Sequence, residues 1–249
     1  MGVQSMVDDE LKLLHRRHDA QQVRTAVETL RNQGISNLSL DLMYGLPRQT
    51  RESWAYSIDE LLKLRPEHIS AYNLSVEEGT RLHKLVERGE LTPASDELCL
   101  AMAALLRSKL HEAGYEQYEI SNYCLPGYYS RHNSSYWDQT PYLGLGPGAH
   151  SYDGHRLRSW NEPRLQHYLQ GERQEEHEEL TDTDLYNERL MLGLRTRWGT
   201  PLSPLMDPHT LDALLAENLI AQHDDRICLT EAGLALGDEV VRRLMRLDE

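Results

Sequence analysis

The sequence predicts an α/β layer followed by a small winged-helix-like module. Strand-like segments begin near residues 2, 38 and 69, spaced by about thirty residues, the length of a βαβ unit. Helical periodicity fills the intervals, so the strands should run parallel in an open layer or a barrel. After residue 180, a helix, a hairpin-like pair of strands and a further helix follow in the order of a winged helix.

The elements follow in order. Gly2-Val3-Gln4-Ser5 reads as a strand end, and Asp8 or Asp9 can cap a short helix through His15. Val23, Ala26, Val27 and Leu30 share one face of a second helix, with Gly34 just past its end. A strand over 38–44 stops at the breaker Gly45-Leu46-Pro47. Thr50 or Arg51 starts a helix with Trp54, Ile58, Leu61 and Leu62 at helical spacing; Pro66 ends it and 69–75 forms a third strand. Thr92-Pro93 should open a long helix carrying Leu98, Met102, Leu105, Leu106 and Leu110, with Gly114 beyond it and one more strand over 116–120.

From 121 to 171 the chain is rich in Tyr, Gly, His and Asn with weak periodicity, as expected of a stretch that lines a site or wraps a neighbour. A charged linker spans 170–179. Thr181 or Asp182 then caps a helix to about Arg195, 211–217 continues helically, and 219–222 pairs with 226–230 across His223-Asp224-Asp225. A final helix starts near Glu231. The expected domains are 1–120, a connecting segment 121–171, and 172–249. Three strands are too few to close a barrel. Met1 stands directly before a strand motif, so an upstream segment is expected to be missing.

Composition narrows the function. The 249 residues carry 26 Lys and Arg against 40 Asp and Glu, a formal net charge of −14, which repels phosphate backbones and anionic membranes. From Asp182 onward seven basic residues face thirteen acidic ones, so the winged-helix-like part is not expected to bind nucleic acid. No apolar run approaches the roughly 20 residues a bilayer requires, and no signal segment opens the chain. A soluble, cytoplasmic protein without a transmembrane segment is expected. Cys99, Cys124 and Cys228 lie far apart, which argues against disulfides and against a metal knuckle. Phe is absent, so Leu, Met, Tyr and Trp must fill the core.

Polar residues at the ends of parallel strands are where α/β folds place their sites. Gln4, Asp41 and Ser75 each lie on or just beyond one of the three strands. Asp41 interrupts the apolar run 38–44, and a carboxylate there needs a partner: either ligand hydroxyls, or a structural salt bridge to Arg16 or Arg17. Arg16 suits a ligand carboxylate or a plain surface role. The segment Arg131-His132-Asn133-Ser134-Ser135-Tyr136-Trp137 combines an imidazole, an amide and two aromatics. That set suits a flat conjugated ligand whose metal His132 ligates, or a loop that plugs a core gap while His132 bonds backbone. Gly144-Leu145-Gly146-Pro147-Gly148-Ala149-His150-Ser151 allows close backbone approach but lacks the dinucleotide-binding spacing.

Several motifs occur together and in order. They are Gly2-Val3-Gln4-Ser5, Leu40-Asp41-Leu42-Met43-Tyr44-Gly45-Leu46-Pro47 with Gln49-Thr50, and residues 67–72 and 114–122. His132-Asn133 with Tyr136-Trp137 follows, then residues 142–151. With these the chain resembles the haem-chaperone HemW branch of the oxygen-independent coproporphyrinogen III oxidase family of radical-SAM proteins. The resemblance runs from residue 2 to the C-terminus, whose last part resembles that family's winged-helix-like domain. It implies a partial radical-SAM (β/α) barrel lacking its first strands, S-adenosylmethionine and a 4Fe–4S cluster as cofactors, haem as cargo, and haem-receiving respiratory proteins as partners. It assigns S-adenosylmethionine contacts to Gln4, Arg16 and Asp41, and haem contacts to His132, Asn133, Tyr136 and Trp137. The family's Cys-x-x-x-Cys-x-x-Cys cluster motif is not in this sequence, and cluster ligation needs close thiolates. A haem-binding chain without radical chemistry is therefore expected. The alternative, an oxygen-independent coproporphyrinogen III oxidase-like enzyme of porphyrin biosynthesis, is disfavoured by the His-Asn-x-x-Tyr-Trp segment and by the cysteines.

Overall fold

Three parallel strands form where the thirty-residue period puts them. In a computed structural model, which describes residues 1–171 and 175–247, the order begins β1 (Gly2–Gln4), α1 (Asp8–Leu13), α2 (Ala20–Asn32), β2 (Ser39–Tyr44), α3 (Arg51–Lys63) and β3 (His68–Asn73). It continues with α4 (Arg81–Glu87), α5 (Asp96–Glu112), β4 (Glu116–Gln117) and β5 (Asn122–Cys124). The chain divides into two compact units, Met1–Tyr129 and Ser130–Glu249.

In the first unit β1, β2 and β3 are parallel neighbours, and β5 then β4 extend the sheet antiparallel, in the order β1-β2-β3-β5-β4. Side chains alternate across the sheet, and the register pairs Leu40 with Ile69 and Leu42 with Ala71. These four are buried against the apolar stripes of the helices, among them Val23, Val27, Trp54, Ile58, Leu61, Met102, Leu106 and Leu110. The Trp54 indole donates to the Met102 carbonyl at 2.9 Å, tying α3 to α5 inside that layer. The other face carries Ser39 opposite His68, Asp41 opposite Ser70, and Met43 opposite Tyr72. One face is thus a hydrocarbon core and the other is polar.

Local details depart from the sequence expectations. Neither Asp8 nor Asp9 caps α1, which follows Val7 without a side-chain cap; the Asp8 carboxylate instead accepts from the Ala20 amide at 2.9 Å. The helix stops at Leu13, and His15 turns left-handed at φ 53°. The long helix begins after Ser95 rather than at Thr92-Pro93, because the Ser95 hydroxyl accepts from the Leu98 amide. The strand over 116–120 shortens to β4 and reverses into β5.

The second unit runs through α6 (Arg131–Trp137), β6 (His150–Tyr152), β7 (Leu157–Asn161), α7 (Leu165–Gln170) and β8 (Glu175–Glu179). Then come α8 (Asp182–Leu194), β9 (Thr200–Pro201), α9 (Pro208–Ala216), β10 (Ile220–His223), β11 (Arg226–Leu229), α10 (Glu231–Leu234) and α11 (Gly237–Leu244). The stretch after 121 holds regular structure that its weak periodicity hid: β6, β7 and β8 form an antiparallel sheet. Within the expected 170–179 linker, residues 172–174 lie outside the described residues and 175–179 is β8, where Glu178 faces Arg158 across the ladder. The hairpin β10–β11 turns at Asp224, with φ 52°, and β9 pairs with β11 as the third strand. Tyr186, Leu190, Leu194, Leu214, Ile220, Ile227 and Val240 build a separate core beneath it.

Candidate functional sites

A polar row crosses the sheet of the first unit. Gln4 sits in the left-handed region at φ 69° and is buried, and the β1–β2 ladder shifts register between Gly2 and Gln4. The Gln4 amide folds back over Gly2, so that a Cβ on Gly2 would lie 2.7 Å from Gln4 Nε2 and would push that side chain aside. Gly2 is the residue opposite Asp41, Asp41 is opposite Ser70, and Ser70 is opposite Asn122. Asn122 is 5% exposed, and its Oδ1 has no hydrogen-bond partner among the described residues. Asp41 is half-buried, and among the described residues no ion pair joins it to Arg16 or Arg17, so the structural salt bridge is not formed. Arg16 lies exposed after α1, and no hydrogen bond among the described residues links it to Gln4 or Asp41. Ser75 lies beyond β3 and donates to Glu77 at 2.6 Å.

Two further groups, not evident from the sequence, shape this face. His68 is buried, with Nδ1 at 2.8 Å from Ser39 Oγ and Nε2 at 2.7 Å from the Tyr118 hydroxyl. Burial lowers its pKa, and the nearby Asp41 charge offsets this only in part. Glu10 is a buried carboxylate held by Ser5 Oγ at 2.6 Å, Ser53 Oγ at 2.6 Å and Gln49 Nε2 at 3.1 Å. It ties the chain leaving β1 to the turn after β2 and to the start of α3, and so fixes the segments that follow Gln4 and Asp41. In that turn Gly45 has φ 73°, and a Cβ there would lie 2.5 Å from Asn73 Oδ1.

In the second unit the His132–Trp137 segment is α6, capped by Ser130, whose hydroxyl accepts from the Asn133 amide. The His132 imidazole is exposed and makes no hydrogen bond among the described residues. It meets Tyr136 edge-on at 5.2 Å, Tyr136 meets Tyr142 at 5.1 Å, and Tyr142 meets Tyr152 at 6.4 Å. A bridge between Tyr142 and Tyr152 carries this aromatic series into β6. Ser134 Oγ, Trp137 Nε1 and Gln139 Nε2 are buried without hydrogen-bond partners among the described residues. Asn133 is half-buried. An exposed imidazole at the head of an aromatic series has the chemistry to ligate a metal beside ring contacts. In the glycine-rich turn a Cβ on Gly144 would collide with the His150 carbonyl, while Leu143 and Leu145 point out to solvent. His150 stacks on Trp160 at 5.7 Å.

Cys99 lies on α5, Cys124 on β5 and Cys228 on β11. Among the described residues no group of three His, Cys, Asp or Glu could hold a metal ion. The donor set does not fit a 4Fe–4S cluster. No helix among the described residues is long and apolar enough to cross a membrane.

Residues 180–236 match the model of the HemN C-terminal domain. The chain is 36% identical to the haem chaperone HemW of Mycobacterium tuberculosis over 98% of its own length and 64% of that protein. To the HemW of Bacillus subtilis it is 36% identical over 96% of its length and 67% of that protein. It therefore spans about two thirds of the length of these two relatives. The solved structure of coproporphyrinogen III oxidase (HemN) from Escherichia coli superposes with a TM-score of 0.77 at 20% identity, covering 98% of this chain and 63% of that one. That likeness gives the fold: a radical-SAM-type α/β layer with mixed strand directions.

Proposed function

The chain belongs to the HemW family, and we propose that it binds haem as cargo on the His132–Trp137 segment and S-adenosylmethionine at the end of β1 and along Asp41 of β2. The observation that carries the haem reading is the exposed His132 imidazole, unbonded among the described residues, at the head of the aromatic series through Tyr136 and Tyr142. In this reading His132 ligates the iron, Tyr136 and Trp137 offer ring contacts, and Asn133 supplies a polar contact.

The polar row suits S-adenosylmethionine. The orphaned Asn122 oxygen in the same cross-strand row as Asp41 supports a polar ligand there. Asp41 would accept from ribose hydroxyls or the amino group, Gln4 would offer its amide, and Arg16 would pair with the methionyl carboxylate. Bound S-adenosylmethionine would supply an activated sulfonium carbon–sulfur bond. The residues on this chain would bind and orient it, and no step is assigned to a cluster that the cysteines do not fit. Transfer of haem to respiratory proteins is part of the same proposal.

Haem titration of the purified chain, followed in the Soret band beside a His132→Ala variant, tests the reading. Saturable one-site binding, weakened about tenfold or more by loss of the ligand, is expected. Binding indifferent to His132, or none, refutes it.

A further inference from the structure

Immediately after α6 the chain enters the wall of a cavity of about 390 Å³ within the second unit. Asp138, Gln139, Tyr152, His155, Arg156 and Arg189 line it. Two guanidinium groups and an imidazole therefore face a single lining carboxylate, and that carboxylate is engaged by the Thr140 amide at 3.1 Å and by its hydroxyl.

The arginines here differ in what they already hold. Arg156 donates to the Leu180 carbonyl and pairs with Asp182. Arg158, on the neighbouring strand, pairs with Glu178 and Glu188. Arg189 has no ion pair among the described residues, in a chain where 40 acidic residues face 26 basic ones. An arginine unpaired amid such an excess of carboxylates is available to an outside anion. Gln139 Nε2, in the same cavity, is a buried donor without an acceptor among the described residues. Gln139 stands in the left-handed region at φ 57°, which fixes how the chain leaves α6. An orphaned donor beside an unpaired guanidinium describes a place for a carboxylate or a similar oxyanion.

The cavity is also joined to the aromatic series. Tyr152 ends the sequence of ring contacts that starts at His132, and it lines the cavity. Tyr152, Gln139 and Arg189 line one cavity, so the series of rings ends where these two polar side chains begin.

From this we infer that the cavity is a carboxylate subsite that takes the anionic edge of a flat macrocyclic ligand. Arg189 and Gln139 are its recognising groups, and Arg156 and His155 contribute positive charge and a donor. The inference rests on the haem reading above and adds to it: the two propionates of haem share one edge of the ring, and that edge is what this cavity selects.

The full chain is titrated with haemin and with haemin dimethyl ester, whose carboxylates are masked, using wild type, Arg189→Gln and Gln139→Leu. Wild type should bind haemin about tenfold or more tightly than the diester, as a charge-assisted pair implies. Arg189→Gln should weaken haemin to the level of the diester and leave the diester unchanged. Gln139→Leu should move in the same direction by less. Arg189 is exposed, so its variant should keep the wild-type circular dichroism, and the comparison of the two ligands on wild type needs no variant. Equal affinity of wild type for both ligands, or equal weakening of both by Arg189→Gln, overturns the carboxylate subsite and leaves the haem reading standing. Failure of wild type to bind either ligand overturns the haem reading and the subsite together.

Discussion

Replacing Glu10 by Ala tests whether a buried carboxylate holds the strand ends together. Glu10 is 7% exposed and accepts from Ser5 Oγ, Ser53 Oγ and Gln49 Nε2. A hydrogen bond to a charged group is worth about 1.5–3 kcal/mol, and a buried donor left unmatched costs about 1–3 kcal/mol. Part of this is recovered locally. Ser53 Oγ can turn to the Thr50 carbonyl at 3.1 Å, Gln49 Nε2 lies 3.4 Å from the Met43 carbonyl, and Ser5 Oγ lies 3.3 Å from Ser57 Oγ. The net loss for Glu10→Ala should therefore be about 2–3 kcal/mol, below the sum of three lost bonds. Glu10→Gln keeps the shape and one carbonyl acceptor, and should lose about 1 kcal/mol. Trp54 is the single tryptophan of the first unit. Urea unfolding followed by its fluorescence, in a chain with Trp137, Trp160 and Trp198 changed to Phe, isolates the relevant transition. A Glu10→Ala midpoint equal to the parent's, or a Glu10→Gln loss as large as that of Glu10→Ala, refutes the reasoning.

His68 should stay neutral in the folded chain below its ordinary pKa of 6.5, because burial lowers it and its two hydroxyl partners serve a neutral ring equally well. The unfolded chain then binds more protons just below pH 6.5, so this contribution to stability is complete above that value and falls as pH drops through it. An NMR titration placing the His68 midpoint at or above 6.5 contradicts this. Gly199→Ala should destabilise the second unit by more than about 2 kcal/mol, since φ is 63° and the new Cβ would collide with the Ile227 carbonyl oxygen. Thermal unfolding followed by Trp198 fluorescence checks it, and an unchanged midpoint refutes it.

Much of the first unit could be read directly from the residues. Trp54, Ile58 and Leu61 fall at helical spacing, and Leu40 and Leu42 alternate with polar neighbours, because burial on one face imposes those periods. Gln4 and Asp41 stood out for the same reason, as polar side chains at the end of one apolar strand and inside another. What stayed hidden lacks a buried stripe. α4 buries no residue, and β8 reads Glu175-Glu176-His177-Glu178-Glu179, every one exposed. Its pairing with β7 rests on backbone bonds, on Arg158 facing Glu178 and on the Trp160 indole donating to Glu176, which leave no hydrophobic period to find. Glu10 was hidden in a different way. Beside Asp8 and Asp9 it looks like part of a solvated acidic first turn, and only the meeting of Ser5, Gln49 and Ser53, from three segments, makes it a buried hub.

The absence of Phe acquires a physical meaning from the buried tyrosines. Tyr115, Tyr118, Tyr152 and Tyr186 fill core positions, and each spends its hydroxyl on a specific partner. Tyr115 donates to the Pro66 carbonyl at 2.5 Å, Tyr186 to the Leu244 carbonyl at 2.7 Å and Tyr152 to the His155 carbonyl at 3.0 Å, while Tyr118 meets His68. Burial, and then the Glu67 charge, push the Tyr115 phenol up to about 12, so it remains a donor at any ordinary pH. A phenylalanine would fill the same volume without fixing where the ring edge must point. Here the hydroxyls pin the end of α3's following loop, the C-terminal end of α11 and the turn after β6. Tyr152 is the instructive case: its hydroxyl anchors the His155 turn, its ring ends the aromatic series from His132, and its neighbours His155 and Arg156 line the cavity with Arg189. One directional hydrogen bond thus sets the geometry of the wall on which recognition of a flat anionic ligand would depend.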